Sequence, residues 1–151
     1  MDNDHFNIRQ MIRSDLSSIM AIDQKVYTSP WTEKVYEQEI NHNPHAYYAV
    51  VEIDNVVAGY AGAWIVMEDA QITNIVVDPD YRGRKLGKSL FKHMLQVAML
   101  HGAERLSLEV RASNQVAQNM YRQFGLVPGG IRKNYYQDNH EDAVVMWVNL
   151  R

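Results

Sequence analysis

Three apolar runs stand out in the first half of the chain: Ala46 to Val51, Val56 to Met67 and Gln71 to Val77. Each is rich in β-branched or aromatic residues, and the Asp54-Asn55 and Glu68-Asp69 pairs between them are good turn formers, so the pattern predicts three consecutive strands. Phe6 to Met11 predicts a short strand ahead of them. Ser14 is placed to cap a helix with the stripe Leu16, Ile19, Val26 and Tyr27. After the break at Ser29-Pro30-Trp31, Thr32 can cap a second helix running to about Ile40. Beyond Val77 the period changes. Asp78-Pro79 closes a strand, and Leu86, Leu90, Phe91, Met94, Leu95 and Ala98 recur at helical spacing before a stop at Gly102. Leu106, Leu108 and Val110 alternate with Ser107, Glu109 and Arg111, as in a strand with two unlike faces. Ser113 or Asn114 can cap a helix carrying Ala117, Met120, Tyr121 and Phe124, which Gly125 is suited to end. Tyr135-Tyr136 and Ala143 to Leu150 predict the last strands. The sum is α/β (α+β), a central mixed, mainly antiparallel sheet flanked by helices, in one domain spanning 1–151.

Composition narrows the classes of function. A chain of 151 residues, 46% hydrophobic and 22% charged, lies in the ordinary range for a folded domain. No apolar stretch approaches the roughly 20 residues needed to span a bilayer. The start Met1-Asp2-Asn3-Asp4-His5 is acidic and has no basic region followed by an apolar run, so a cytoplasmic protein without a secretory leader is expected. The absence of cysteine excludes disulfides, thiolate metal sites and a cysteine nucleophile. A formal net charge of -3, with acids and bases mixed throughout, counts against nonspecific nucleic-acid binding. It remains compatible with a basic peptide partner. Nothing in the pattern sets the oligomeric state.

Several residues carry candidate chemistry. A pyrophosphate needs clustered backbone N–H groups at a helix N-terminus, small residues that let the backbone approach, and nearby cations. Arg82, Gly83, Arg84, Lys85, Gly87 and Lys88, at the start of the predicted helix, offer all three, without the spacing of a Walker loop or a dinucleotide fingerprint. The same residues also fit an exposed basic turn. Glu109 points away from the apolar face of its strand, where it is either a general base for an amine or a solvated sheet acid paired with Arg111. Tyr121 is either core packing or a proton donor to a leaving thiolate. Asn114 is either a helix cap or a cofactor contact. His42 and His45, and the group His140-Glu141-Asp142, lack a complete ligand set, so no metal is expected. No nucleophile elbow is present.

The stretch Asn74-Ile75-Val76-Val77-Asp78-Pro79-Asp80-Tyr81-Arg82-Gly83-Arg84-Lys85-Leu86-Gly87, together with the order of elements around it, resembles the GNAT superfamily of acetyl-coenzyme A-dependent acetyltransferases. That family's pyrophosphate motif is R/Q-x-x-G-x-G/A. Arg82 matches its first position and Gly87 its last, and Lys85 stands where the first glycine usually is. Leu108-Glu109-Val110-Arg111-Ala112-Ser113-Asn114 followed by Met120-Tyr121, the segment Ser29-Pro30-Trp31-Thr32-Glu33-Lys34, and Arg132-Lys133-Asn134-Tyr135-Tyr136 with Glu141-Asp142-Ala143 are similar to the RimI-type group. This group comprises bacterial enzymes that acetylate the N-terminal alanine of a small-subunit ribosomal protein. The resemblance implies the GNAT fold and acetyl-coenzyme A as co-substrate, and an N-terminal peptide as acceptor. It implies Glu109 as catalytic base and Tyr121 as catalytic acid. Cofactor contacts would fall at Ile75, Val76 and Val77, at Arg82 through Lys88 including Leu86, and at Asn114, with an oxyanion donor near Val76. Trp31, Tyr135 and Tyr136 would fall on the acceptor side. Two alternatives remain open at this point: a lysine or small-amine acceptor, and a non-catalytic acyl-coenzyme A-binding module.

Overall fold

The computed structural model describes residues 5–150, and the reading of residues 1–4 above lies outside them. The elements are β1 (Phe6–Gln10), α1 (Leu16–Val26), α2 (Glu33–His42), β2 (Ala46–Ile53), β3 (Val56–Val66), β4 (Asp69–Val77), α3 (Leu86–Leu100), β5 (Arg105–Arg111), α4 (Gln115–Gln123), β6 (Val127–Arg132) and β7 (Ala143–Asn149). The strands form one sheet in the order β1-β2-β3-β4-β5-β7-β6. All neighbours pair antiparallel except β4 and β5, and α3 supplies the crossover that a parallel pair requires. The β2–β3 hairpin turns on Asp54 and Asn55, whose φ values of 50° and 68° suit the two central residues of a primed turn.

Each face of the sheet is covered. On one side Leu86, Leu90, Phe91 and Met94 of α3 pack with Leu106, Leu108 and Val110 of β5, and Tyr121 of α4 joins them. On the other, Leu16, Ile19 and Ile22 of α1 and Tyr36 of α2 pack with Tyr48, Val50, Tyr60 and Val76. Within this second cluster Asp23 is almost fully enclosed. Its carboxylate accepts hydrogen bonds from Tyr60, at 2.6 Å, and from Tyr36, which meets the cost of burying it.

Two expectations are corrected, and one strand is added. Ser14 does not cap α1; a 3-10 turn over Arg13–Asp15 leads into the helix, and the Asp15 carboxylate accepts from the Ile12 N–H at 2.8 Å. Tyr135 and Tyr136 are not in a strand but in the connection between β6 and β7. The strand before that connection is β6, Val127-Pro128-Gly129-Gly130-Ile131-Arg132. It is the edge of the sheet, so Pro128 breaks no outer ladder, and Trp147 lies so close that a Cβ on Gly129 would sit 2.5 Å from its ring.

Candidate active site

The site begins with a strand that leaves its neighbour. β4 and β5 are paired only at Asp69↔Arg105, Ala70↔Leu106 and Gln71↔Ser107. The next residues of β4 carry a bulge: Gly62 opposes Asn74 and Ala63 opposes Ile72, so Thr73 is the extra residue. A bulge bends its strand, and from here β4 and β5 are no longer paired. The opening is a cleft of about 1230 Å³, larger than the 300–1,000 Å³ of most small-ligand pockets.

Strand geometry says which backbone groups face the opening. The Asp78 N–H donates to Ala58 O on β3 at 2.8 Å. Because the groups alternate along a strand, those of Val76 are also turned to β3, and those of Ile75 and Val77 face the gap. The Val76 carbonyl is accordingly the nearest atom to a Cβ built on Gly59 of β3. Of the backbone N–H groups near Val76, those available to an oxyanion are therefore the ones on its two neighbours.

At the mouth of the gap lies the N-terminus of α3. Lys85 occupies the cap position in the left-handed region, with φ 62° and ψ 24°, and its carbonyl accepts the first helical bond from Ser89 N at 3.1 Å. The left-handed geometry explains why a glycine suits this position, and lysine adopts it at a cost of roughly 1 kcal/mol. The N–H groups of Leu86, Gly87 and Lys88 precede the first intrahelical bond and are free for a ligand. Arg82, Gly83, Lys85 and Lys88 line the cleft there, a basic lip suited to a pyrophosphate. A Cβ on Gly87 would meet only the Val77 Cγ2, at 3.8 Å, so packing within the protein does not demand glycine at that position.

Glu109 and Tyr121 approach the gap from opposite faces of the sheet. Leu108 and Val110 belong to the α3 side, so the Glu109 side chain stands on the α1–α2 side. Its Oε1 accepts from the Tyr135 hydroxyl at 3.0 Å, and its Oε2 is ion-paired with Arg132. Tyr121 is buried among α3 and α4 residues, 5.0 Å from the Phe91 ring centre, and also lines the cleft. Burial, and then the neighbouring Tyr136, push its hydroxyl up to about 12. It thus keeps its proton at neutral pH and is available as a donor. Tyr136 lines the cleft beneath the Arg111 guanidinium, 4.0 Å from its ring centre, and burial raises its hydroxyl to about 12 as well.

The structure gathers most, but not all, of the residues predicted from sequence. Ile75, Val76, Val77, Arg82, Gly83, Lys85, Leu86, Gly87, Lys88, Glu109, Asn114, Tyr121 and Tyr136 all line one cleft. Asn114 also caps α4, its side-chain oxygen accepting from Ala117 N at 3.1 Å, which leaves its amide NH2 for a ligand. Arg84 is not in the lining and lies over the Tyr81 ring at 5.3 Å. Trp31 packs edge-on against Tyr36 at 5.2 Å, outside the lining, and Tyr135, also outside it, touches the site through Glu109 and through the Tyr136 ring 5.1 Å away. Sequence reasoning missed Tyr27 and Thr28, which with Ser29, the first residue of the family-like Ser29-Pro30-Trp31 segment, wall the cleft on the α1–α2 side. Tyr27 fits the helical stripe by spacing, but α1 ends at Val26 and leaves its ring partly exposed.

A strand splayed after a bulge, a basic helix start beside it, and a carboxylate and a phenol lining the same gap make up the candidate site, and the chain belongs to the acetyltransferase (GNAT) family, which residues 16–126 match. Its relatives are more particular. It is 50% identical over 143 residues, 95% of each chain, to a Bacillus subtilis protein provisionally named a [ribosomal protein bS18]-alanine N-acetyltransferase. It is 35% identical over 135 residues, 88% of this chain and 90% of the other, to the [ribosomal protein bS18]-alanine N-acetyltransferase of Salmonella typhimurium. The crystal structure of the ribosomal-protein-S18-alanine N-acetyltransferase from Escherichia coli superposes with a TM-score of 0.87 at 32% identity, covering 97% of this chain and 94% of that one. The chain is therefore a GNAT N-acetyltransferase and a close homologue of the RimI-type enzymes.

Proposed function

We propose that this protein transfers the acetyl group of acetyl-coenzyme A to the N-terminal α-amino group of ribosomal protein bS18, at an alanine, in the bacterial cytoplasm. The carrying observation is that Glu109 and Tyr121 line one gap from opposite faces of the sheet. This arrangement supports proton removal from an incoming amine on one side of the reacting centre and proton delivery to a departing thiolate on the other. The relatives' names supply the acceptor.

Bound acetyl-coenzyme A would supply an activated acetyl group as its thioester. The α3 N–H groups with Arg82, Lys85 and Lys88 would hold the pyrophosphate, and the amide NH2 of Asn114 would add a donor. The exposed backbone of Ile75 and Val77 would pair with the pantetheine arm and present an N–H to the carbonyl oxygen, stabilising charge that develops there. Glu109 would take a proton from the acceptor ammonium, directly or through water, and free its lone pair to attack. Tyr121 would give its proton to the departing sulfur. An α-amino group titrates near about 7.7–8.0 against about 10.4 for lysine, so a single carboxylate suffices at neutral pH for the former.

The test is release of free coenzyme A from acetyl-coenzyme A. Turnover with a peptide beginning in alanine, and none with the same peptide N-terminally blocked, is expected. Cofactor binding without turnover on either peptide would overturn the N-terminal acceptor and favour a small-amine acceptor or a binding module.

A further inference from the structure

The carboxylate that the reaction needs is already engaged in the resting protein. Arg132, the last residue of β6, sets its Nε against Glu109 Oε2, while Tyr135 donates its hydroxyl to Oε1 at 3.0 Å. The sheet brings this about. Glu109 of β5, Val145 of β7 and Gly130 of β6 stand in one row, and Arg132 is two residues further along β6, on the same face as Gly130. Gly130 has no side chain, and a Cβ built there would touch nothing within 4 Å. Nothing on β6 therefore stands between the carboxylate and the Arg132 side chain. The guanidinium also lies 6.0 Å from the Tyr135 ring centre.

The other charges around Glu109 are committed elsewhere. Arg111, on the same face of β5, is held by Asp138 at 2.8 Å and Glu141 at 3.3 Å and stacks on Tyr136. Lys133 faces Asp142 at 3.7 Å. Across the ladder β7 presents Val145, and the facing wall from α1 to α2 presents Tyr27, Thr28 and Ser29, none of them charged at neutral pH. Arg132 is thus the cation that balances the base. The side chain of Glu109 is 13% exposed and that of Arg132 is 59% exposed, so the more accessible partner is the cation.

We propose that Arg132 is a positioning residue for Glu109, its guanidinium holding the place that the acceptor's terminal ammonium takes, so that one cation is exchanged for the other when the acceptor binds. This rests on the reading of Glu109 as the base. Exchange keeps a largely enclosed carboxylate from standing unpaired, which is costly. It also gives the site a filter, because a blocked, uncharged N-terminus cannot displace a guanidinium.

The experiment follows the Arg132 side-chain Nε–H resonance in the full chain by NMR, assigned by its loss in Arg132→Gln. The resonance is expected to move in Glu109→Gln, and to move the same way when coenzyme A and an alanine-initiated peptide are added to the unmodified protein. The N-acetylated peptide should leave it in place. In steady state, Arg132→Gln should lower the acceptor KM about two- to fivefold, the range set by one half-exposed ion pair, with a smaller change in kcat. Arg132→Lys should restore the original KM. A resonance indifferent to Glu109→Gln would overturn the exchange alone. So would one that stays put while the free peptide shifts the Ile75 and Val77 amides, or a KM that rises in Arg132→Gln. A free peptide that shifts no resonance at all would remove the N-terminal acceptor and the exchange together.

Discussion

In the proposed mechanism Glu109 and Tyr121 have the same problem in opposite forms: each would have to hold its proton state until the reaction asks for it. Tyr121 solves it by burial, which keeps the phenol neutral well above physiological pH. Glu109 stands on the α1–α2 face with the Arg132 guanidinium against its carboxylate. The acceptor's own ionisation then sets how much the base matters. At about pH 7 most α-amino groups arrive protonated, whereas at about pH 9 most arrive neutral. Glu109→Gln should therefore slow acetyl transfer about 100-fold at the lower pH and clearly less at the higher one, within the usual range for general base catalysis. Initial rates on an alanine-initiated peptide at both pH values check this; equal loss at both would remove Glu109 as the base. At this scale the alternation of β5 and the stripe of α4 place the two side chains, but only the family resemblance singles them out as base and acid. The partners of Glu109 were not legible in the sequence. Arg132 and Tyr135 are more than twenty residues away and meet it only through the β5–β7–β6 order, which no local pattern encodes.

At the scale of elements, the cleft depends on one extra residue in β4 and on the start of α3. The bulge at Thr73 lets the strand pair at one end and part from β5 at the other, so Ile75 and Val77 keep polar groups open to a ligand. The apolar run from Gln71 to Val77 announces a strand but carries no mark of the bulge, since Thr73 is an ordinary strand residue. The helix was plain from its stripe and its basic start. Why glycine is needed near that start differs from position to position. Gly83, at φ 84°, needs it for its backbone, whereas Gly87 has room for a methyl group. Gly87→Ala should therefore fold with a thermal midpoint at or above the original, since alanine favours a helix by about 0.5–1 kcal/mol. It should weaken coenzyme A about tenfold or more, by holding the pyrophosphate off the N–H groups. Calorimetric titration beside a melting curve separates the two effects. The missed strand β6 belongs to the same scale: its Pro-Gly-Gly sequence reads as loop until Trp147 and the sheet edge are in view.

For the whole molecule, the sheet is a partition with one door. α3 and α4 cover one side and set the α3 N-terminus at the cleft, and α1 and α2 cover the other, where Glu109 stands and where the proposed acceptor would enter. Lys25 bridges the two, its ammonium 3.1 Å from Asp78 and 3.1 Å from Asp80 just ahead of the basic turn. The acceptor-side core is rich in enclosed phenols. Burial raises the hydroxyls of Tyr36, Tyr48 and Tyr60 well above the ordinary range, as it does Tyr121 on the other face. A raised folded-state pKa stabilises the fold fully below the unfolded value near about 10 and is lost as pH climbs above it. The melting temperature should accordingly hold up to about pH 9–10 and fall steeply beyond. A melting series across that range checks this, and Tyr60→Phe should flatten the alkaline fall even if it lowers the midpoint at neutral pH. The fold class was legible from the succession of periods along the chain. The sharing of labour between faces was not, because it depends on which side each helix takes.

The central claim is that the amine acetylated is a protein N-terminus. Its most direct test is the intact mass, with fragment-ion mapping, of two peptides incubated together with the protein and acetyl-coenzyme A. One begins with the free alanine of a ribosomal-protein terminus; the other has the same sequence with that terminus blocked and a lysine left free. A single acetyl group on the first peptide, mapped to its α-nitrogen, with the second untouched, is the predicted result. Acetylation of the blocked peptide at its lysine at a comparable rate would contradict it.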